Sequence, residues 1–169
     1  MTVNRNIIAF FVISILGTLG HFLYEITGEN SIIGLLFSVN ESTWEHLKLL
    51  FFPALLYFTF EYFKCGKKQK NFIRAAALSI LFGMLTIVVL FYTYKGILGK
   101  NIDFINIAIY YIGVIATLLK RKKLLENGKT ENQTADKFYL GILMIFILLF
   151  MVWTNNPPSL GIFTPPVTN

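Results

Sequence analysis

The chain has 169 residues, 55% hydrophobic and 14% charged, with a mean hydropathy of +0.62. That charged share is well below the ~25% of a typical soluble domain. Seventeen phenylalanines exceed the needs of a soluble core this size, so composition excludes an ordinary soluble protein and predicts one integral membrane domain over residues 1–169. The net charge of +6 comes from basic residues in short loops between apolar runs. Such a pattern orients a chain in a membrane and argues against nucleic acid as a partner.

The first apolar run, about residues 7–26, could be a secretory signal. However, Gly17 to Gly20 lead into His21 and Phe22 with no small-x-small cleavage site, and His21 and Glu25 continue the same helical face. An uncleaved transmembrane helix is expected. Residues 31–39 are apolar but too short to cross a bilayer, and predict an interfacial or re-entrant helix started by Asn30 or Ser31. Further crossings are predicted at about 43–63, 73–94, 102–119 and 138–154, each near the ~20 residues a helix needs to span. Pro53 should kink the second of these and release the carbonyl of Leu49 four residues earlier. Gly17, Gly20, Gly83, Gly113 and Gly141 are placed to let helices approach closely. Aromatic runs such as Phe51-Phe52, Tyr57-Phe58 and Tyr110-Tyr111 read as lipid-facing or interfacial, Trp44 as an interfacial anchor, and Glu61 as the partner of Lys64. Residues 120–137 predict a polar loop carrying Gly128. The tail with Pro157-Pro158 and Pro165-Pro166 should be extended. Continuous apolar runs, without the alternation of barrel strands, make the fold class all-α, a helical membrane bundle of about five transmembrane helices plus one short helix. No internal repeat is visible.

Orientation follows from the basic residues. Lys64 to Arg74 holds five, Lys120 to Lys137 holds six, and Arg5 precedes the first helix; only Lys48, Lys95 and Lys100 fall on the other side. The positive-inside rule then predicts a cell-membrane protein with a cytoplasmic amino terminus and an outside carboxyl terminus. Cys65 is the only cysteine and cannot form an intrachain disulfide.

With this topology both histidines and five acids, Glu25, Glu29, Glu41, Glu45 and Asp103, gather at the outer side. Ionisable groups bordering hydrocarbon are costly, so a convergent cluster marks a candidate functional site. His21 and Glu25 are four residues apart and share a helix face, and Glu41 and Glu45 share the same spacing, with Lys48 one further turn along. Two imidazoles with one of Glu25, Glu41 or Glu45 would hold a divalent metal such as zinc and leave a position open for water. The favoured assignment makes His21, Glu25 and His46 the metal ligands and leaves Glu41 and Glu45 for acid–base work. Tyr94 and the prolyl tail could close the rim. The competing structural reading is also specific. Ser42-Thr43-Trp44-Glu45 is a capping box in which Ser42 caps the helix and Glu45 reaches back, Lys48 could neutralise Glu45, and His21 could simply bond within the bundle.

The run Val39-Asn40-Glu41-Ser42-Thr43-Trp44-Glu45-His46-Leu47-Lys48, with Gly20-His21-Phe22-Leu23-Tyr24-Glu25 before it, resembles an uncharacterised family of small bacterial multipass membrane proteins. That resemblance covers most of the chain and implies the membrane class without an activity. A weaker likeness is to seven-helix membrane hydrolases, including alkaline ceramidases and the progestin/adipoQ receptors, which hold zinc with histidines near one membrane face. This chain has two histidines, about five helices and no His-x-x-x-His pair near its end, so their ceramide chemistry does not carry over. The functional expectation is a metal-dependent membrane hydrolase whose lipid, peptide or small-solute substrate arrives at the outer face. A solute or ion transporter and a non-catalytic accessory protein are the alternatives. No motif speaks to oligomeric state.

Overall fold

The computed structural model describes residues 3–69, 71–127 and 133–166. They form six α-helices: α1 (Val3–Ile26), α2 (Ser31–Leu36), α3 (Thr43–Lys64), α4 (Phe72–Leu98), α5 (Asp103–Glu126) and α6 (Gln133–Asn155). Short 3-10 turns occupy Gly66–Lys68 and Gly161–Phe163, and there is no strand among the described residues.

Four helices are long and apolar enough to cross a membrane: Arg5–Ile26, Phe72–Leu98, Asp103–Glu126 and Ala135–Asn155. The remaining predicted crossing, 43–63, corresponds to α3, which is not among them. Glu45, His46 and Lys48 at one end of α3 and Glu61 and Lys64 at the other dilute its apolar character. Burial explains why α3 tolerates this. Its residues Leu47, Leu50, Phe51, Ala54 and Phe58 are nearly inaccessible, so α3 is the hub: α1 and α4 pack along it, and α5 and α6 touch it too. By contrast, only 11% of the apolar window of α6 is buried, and Met144, Ile145, Leu148 and Val152 face outward.

Side-chain contacts fix the directions of the helices. His21 of α1 meets His46 of α3, while the Tyr57 hydroxyl reaches the Arg5 carbonyl at 3.4 Å, so α1 and α3 are antiparallel. Phe51 packs on Phe146 and Trp44 on Trp153, which sets α6 antiparallel to α3. Asn71 donates to the Leu124 carbonyl at 3.1 Å, and the Tyr94 hydroxyl reaches Asn101 at 3.0 Å, tying both ends of an antiparallel α4–α5 pair. The bundle therefore has a histidine end and an arginine end.

Helices approach most closely at glycines. A methyl group on Gly17 would collide with the Tyr110 hydroxyl and the Leu49 carbonyl, and one on Gly83 would collide with the Thr117 hydroxyl. The Leu49 carbonyl is the one that Pro53 leaves without its helical donor; the Tyr110 hydroxyl from α5 lies 3.4 Å from it and donates at 3.1 Å to the Ile13 carbonyl of α1. One tyrosine thus links three helices at the proline.

Several sequence expectations are corrected. The short helix ends at Leu36 and not at 39, where Phe37 turns to extended backbone. The predicted loop 120–137 is largely helix, since α5 continues to Glu126 and α6 begins at Gln133. Lys120 to Leu125 are all good helix formers, and their cations favour a helix carboxyl end. Gly128 lies outside the described residues. Glu61 pairs not with Lys64 but with Arg121 of α5, at 2.8 Å, and the guanidinium is sandwiched between the Phe58 and Phe72 rings. Phe51 and Phe58 are core residues and not lipid-facing. Trp44 is buried among Phe150, Trp153 and Phe163, so the turn at Gly161–Phe163 seats the tail on an aromatic cluster. Among the described residues, none lies within contact distance of the Gly141 side-chain position.

Candidate metal centre at the histidine end

The site is built on the first turn of α3 and the loop before it. Asn40 and Ser42 shape that loop by local bonds, as short polar side chains do. The Asn40 side chain accepts from the Ser42 amide at 2.9 Å, and the Ser38 hydroxyl donates to the Asn40 carbonyl at 2.7 Å. Ser42 then caps α3, accepting from the Glu45 amide at 3.3 Å. Only half of the predicted capping box forms. The Glu45 carboxylate does not return to the Ser42 amide; it accepts from the Val39 amide at 3.1 Å and from Lys48 at 2.7 Å.

The Ser42 carbonyl accepts the first helical hydrogen bond from the His46 amide at 3.1 Å, and the same oxygen lies 3.0 Å from His46 Nδ1. A carbonyl can only accept, so His46 Nδ1 carries the proton and a neutral ring presents its lone pair at Nε2. That nitrogen is 3.4 Å from Glu41 Oε2, and the second oxygen of the carboxylate is 3.7 Å from His21 Nε2. The two imidazole rings lie 5.2 Å apart, tilted by 45°. One ligand atom from each of His21, Glu41 and His46 falls within 4.8 Å of the others. His21 and His46 are about one third exposed and Glu41 is 62% exposed, so the cluster opens to its surroundings on one side.

His21, Glu41 and His46 therefore converge, as their common position at one end of the bundle predicted. Glu25 is exposed on the following turn of α1 and does not join them. Glu45, only 2% exposed, is drawn into a separate buried network with Lys48 and Thr154. The Tyr94 hydroxyl is committed to Asn101 on the α4–α5 turn and Asn106 at the start of α5, and the tail packs on Trp44 through Phe163. Among the described residues, His21 Nδ1 is buried with no hydrogen-bond partner.

Sequence reasoning missed Thr154 and the Ser42 carbonyl. Thr154 carried one legible signal, being the last hydroxyl of α6 at the depth where α3 places Lys48. The carbonyl carried none, because every residue has one.

The profile of one family matches residues 3–169, nearly the whole length. The chain belongs to DUF6512, a family of unknown function. No match to this DUF6512 chain was found among curated proteins or among solved structures.

Proposed function

We propose that this DUF6512 protein crosses the cell membrane five times, amino terminus inside, and holds one divalent metal such as zinc at its outer face through His21, Glu41 and His46. The observation that carries the metal is the facing pair of acceptors. With its Nδ1 proton committed to the Ser42 carbonyl, His46 turns an unprotonated nitrogen toward a carboxylate 3.4 Å away. Two lone pairs so placed repel unless a cation or a second proton lies between them. Two imidazoles and a carboxylate are a donor set for zinc and similar ions. The Ser42 carbonyl bonded to the other ring nitrogen is the outer-shell contact that orients a ligating histidine.

The fifth crossing is α3, whose 22 residues span roughly 33 Å at 1.5 Å per residue, enough for a hydrocarbon layer of about 30 Å. Its shielded central position explains why it needs less hydropathy than its neighbours. The basic residues concentrated at the arginine end support a cytoplasmic location for that end.

Three protein ligands with one open side make the arrangement of a catalytic rather than a structural metal site. A metal bound there supplies a Lewis acid and a water of lowered pKa. The residues supply the rest: His46 is held in one tautomer and Glu41 bridges the two rings. The reaction class is hydrolysis of a lipid, peptide or small solute reaching the outer face. The same facing acceptors also fit a second proton on His46, which would make the cluster a non-catalytic polar network.

Zinc competition with a chromophoric chelator, on protein purified in detergent, separates the two. One equivalent should bind to the parent, with large losses in His21→Ala, His46→Ala and Glu41→Gln, and little change in Glu25→Gln. Chelator-sensitive turnover of an ester or amide amphiphile, lost in His46→Ala, would support hydrolysis. A stable, metal-free protein that takes up no zinc would leave only the polar network.

A further inference from the structure

Residues 37–42, which deliver Glu41, form no helix or strand. Behind them lie three polar side chains that the proposed metal chemistry does not use. Lys48 Nζ, fully buried, donates to the Gly34 carbonyl at 2.8 Å, to Glu45 Oε2 at 2.7 Å and to the Thr154 hydroxyl. The Phe37 carbonyl lies 3.4 Å away. Gly34 and Phe37 are at the carboxyl end of α2, where carbonyls lack helical donors, so the ammonium caps that helix. Glu45 Oε2 also accepts from the Val39 amide at 3.1 Å, and Oε1 lies 3.1 Å from the Thr154 hydroxyl.

We infer that Glu45, Lys48 and Thr154 are the positioning residues of the site, clamping residues 34–39 to α3 and α6 so that Glu41 meets the two histidines. A buried ion pair is a weak source of stability, because well-packed apolar side chains usually do as well. What it adds here is direction. The ammonium has three protons and all three are assigned, to α2, to α3 and to α6. The carboxylate's second bond takes the backbone of Val39, two residues before Glu41. Serving a metal site is the purpose given by the function proposed above, on which this inference rests, but the geometry itself can be tested without metal.

In a Cys65→Ser background, the pair His21→Cys/Glu41→Cys should cross-link with a short bis-methanethiosulfonate reagent. A control pair at the opposite end, Arg5→Cys/Tyr57→Cys, should cross-link as well. Adding Glu45→Gln/Lys48→Met should slow the site pair severalfold and leave the control pair unchanged. Thr154→Val, which removes only a hydroxyl, should slow the site pair by less and guards against misfolding of the double variant. Three results would overturn the inference: no cross-link in the parent site pair, unchanged site-pair rates in both variants, or equal slowing of the control pair, which would mean a general loosening. Zinc binding by the unmodified chain is measured separately. If zinc does not bind, the metal site falls, while the clamp still stands or falls on the cross-linking rates alone.

Discussion

At the residue scale, the chemistry turns on which atoms of two imidazoles carry protons. A bound metal requires both rings unprotonated at Nε2, so acid competes with it. Zinc affinity should therefore fall as the medium is acidified, because protons and metal compete for the same two ring nitrogens. Titrating zinc against a competing chelator from pH 5 to 8 checks this; a flat profile would mean that the histidines are not ligands. The participants were partly legible in the chain. Spacing showed that His21, Glu41 and His46 lie at one end of the bundle, since that follows from helix phase and topology. It could not rank Glu41 over Glu25 and Glu45, because the choice depends on the path of an irregular loop. Glu45 sits on the regular helix and looks the better candidate by periodicity, yet it turns inward to Lys48.

At the scale of elements, two charged pairs bracket α3: Glu45–Lys48 at the histidine end and Glu61–Arg121 at the arginine end. Arg121 is fully buried and Glu61 nearly so, and removing one partner leaves an uncompensated charge. Glu61→Ala should destabilise the protein by roughly 3–5 kcal/mol, whereas the double variant Glu61→Ala/Arg121→Met should recover much of that loss. Thermal unfolding in detergent measures both, and a double variant no better than the single would refute the pairing. Sequence periodicity contained this contact without revealing it. Val114, Thr117, Leu118 and Arg121 lie on one buried face of α5, but a run of four basic residues reads as a solvated loop unless the helix is followed through it. Long, strongly apolar helices were readable to within a few residues. The ends were not, because α5 is carried past the apolar run by helix-forming lysines and by a contact made elsewhere in the chain.

At the scale of the whole molecule, the arrangement is a hub with a rim: α3 inside, touched by all four other long helices, with α5 and α6 each packed mainly against α4. The orientation proposed for it makes a direct prediction. With Cys65 replaced by serine, a cysteine at Asn127 should be shielded from a membrane-impermeant thiol reagent in intact cells, and one at Ser159 should react. Both positions are exposed in the fold, so reversed reactivity would invert the orientation and place the histidine cluster in the cytoplasm. The hub was harder to read than the rim for a physical reason. Lipid contact enforces hydropathy on outer helices, while a shielded helix can carry charge wherever a neighbour neutralises it.

That division also bears on how the protein is made. With α3 counted as a crossing, the second long helix to leave the ribosome is the one least soluble in lipid. Its counter-charge Arg121 and its companion Thr154 are synthesised only later, on α5 and α6. Charged residues near a helix centre cost about 2.5–3.5 kcal/mol each on insertion scales, and less toward the ends, so α3 has a weak claim on the bilayer while it has only α1 beside it. A nascent chain stopped after Lys64 should hold α3 across the membrane poorly, and one extended beyond Asn155 should hold it fully. The most deeply enclosed helix of the finished bundle is then the last to become committed to its place, and the histidine end can close only once synthesis has reached α6.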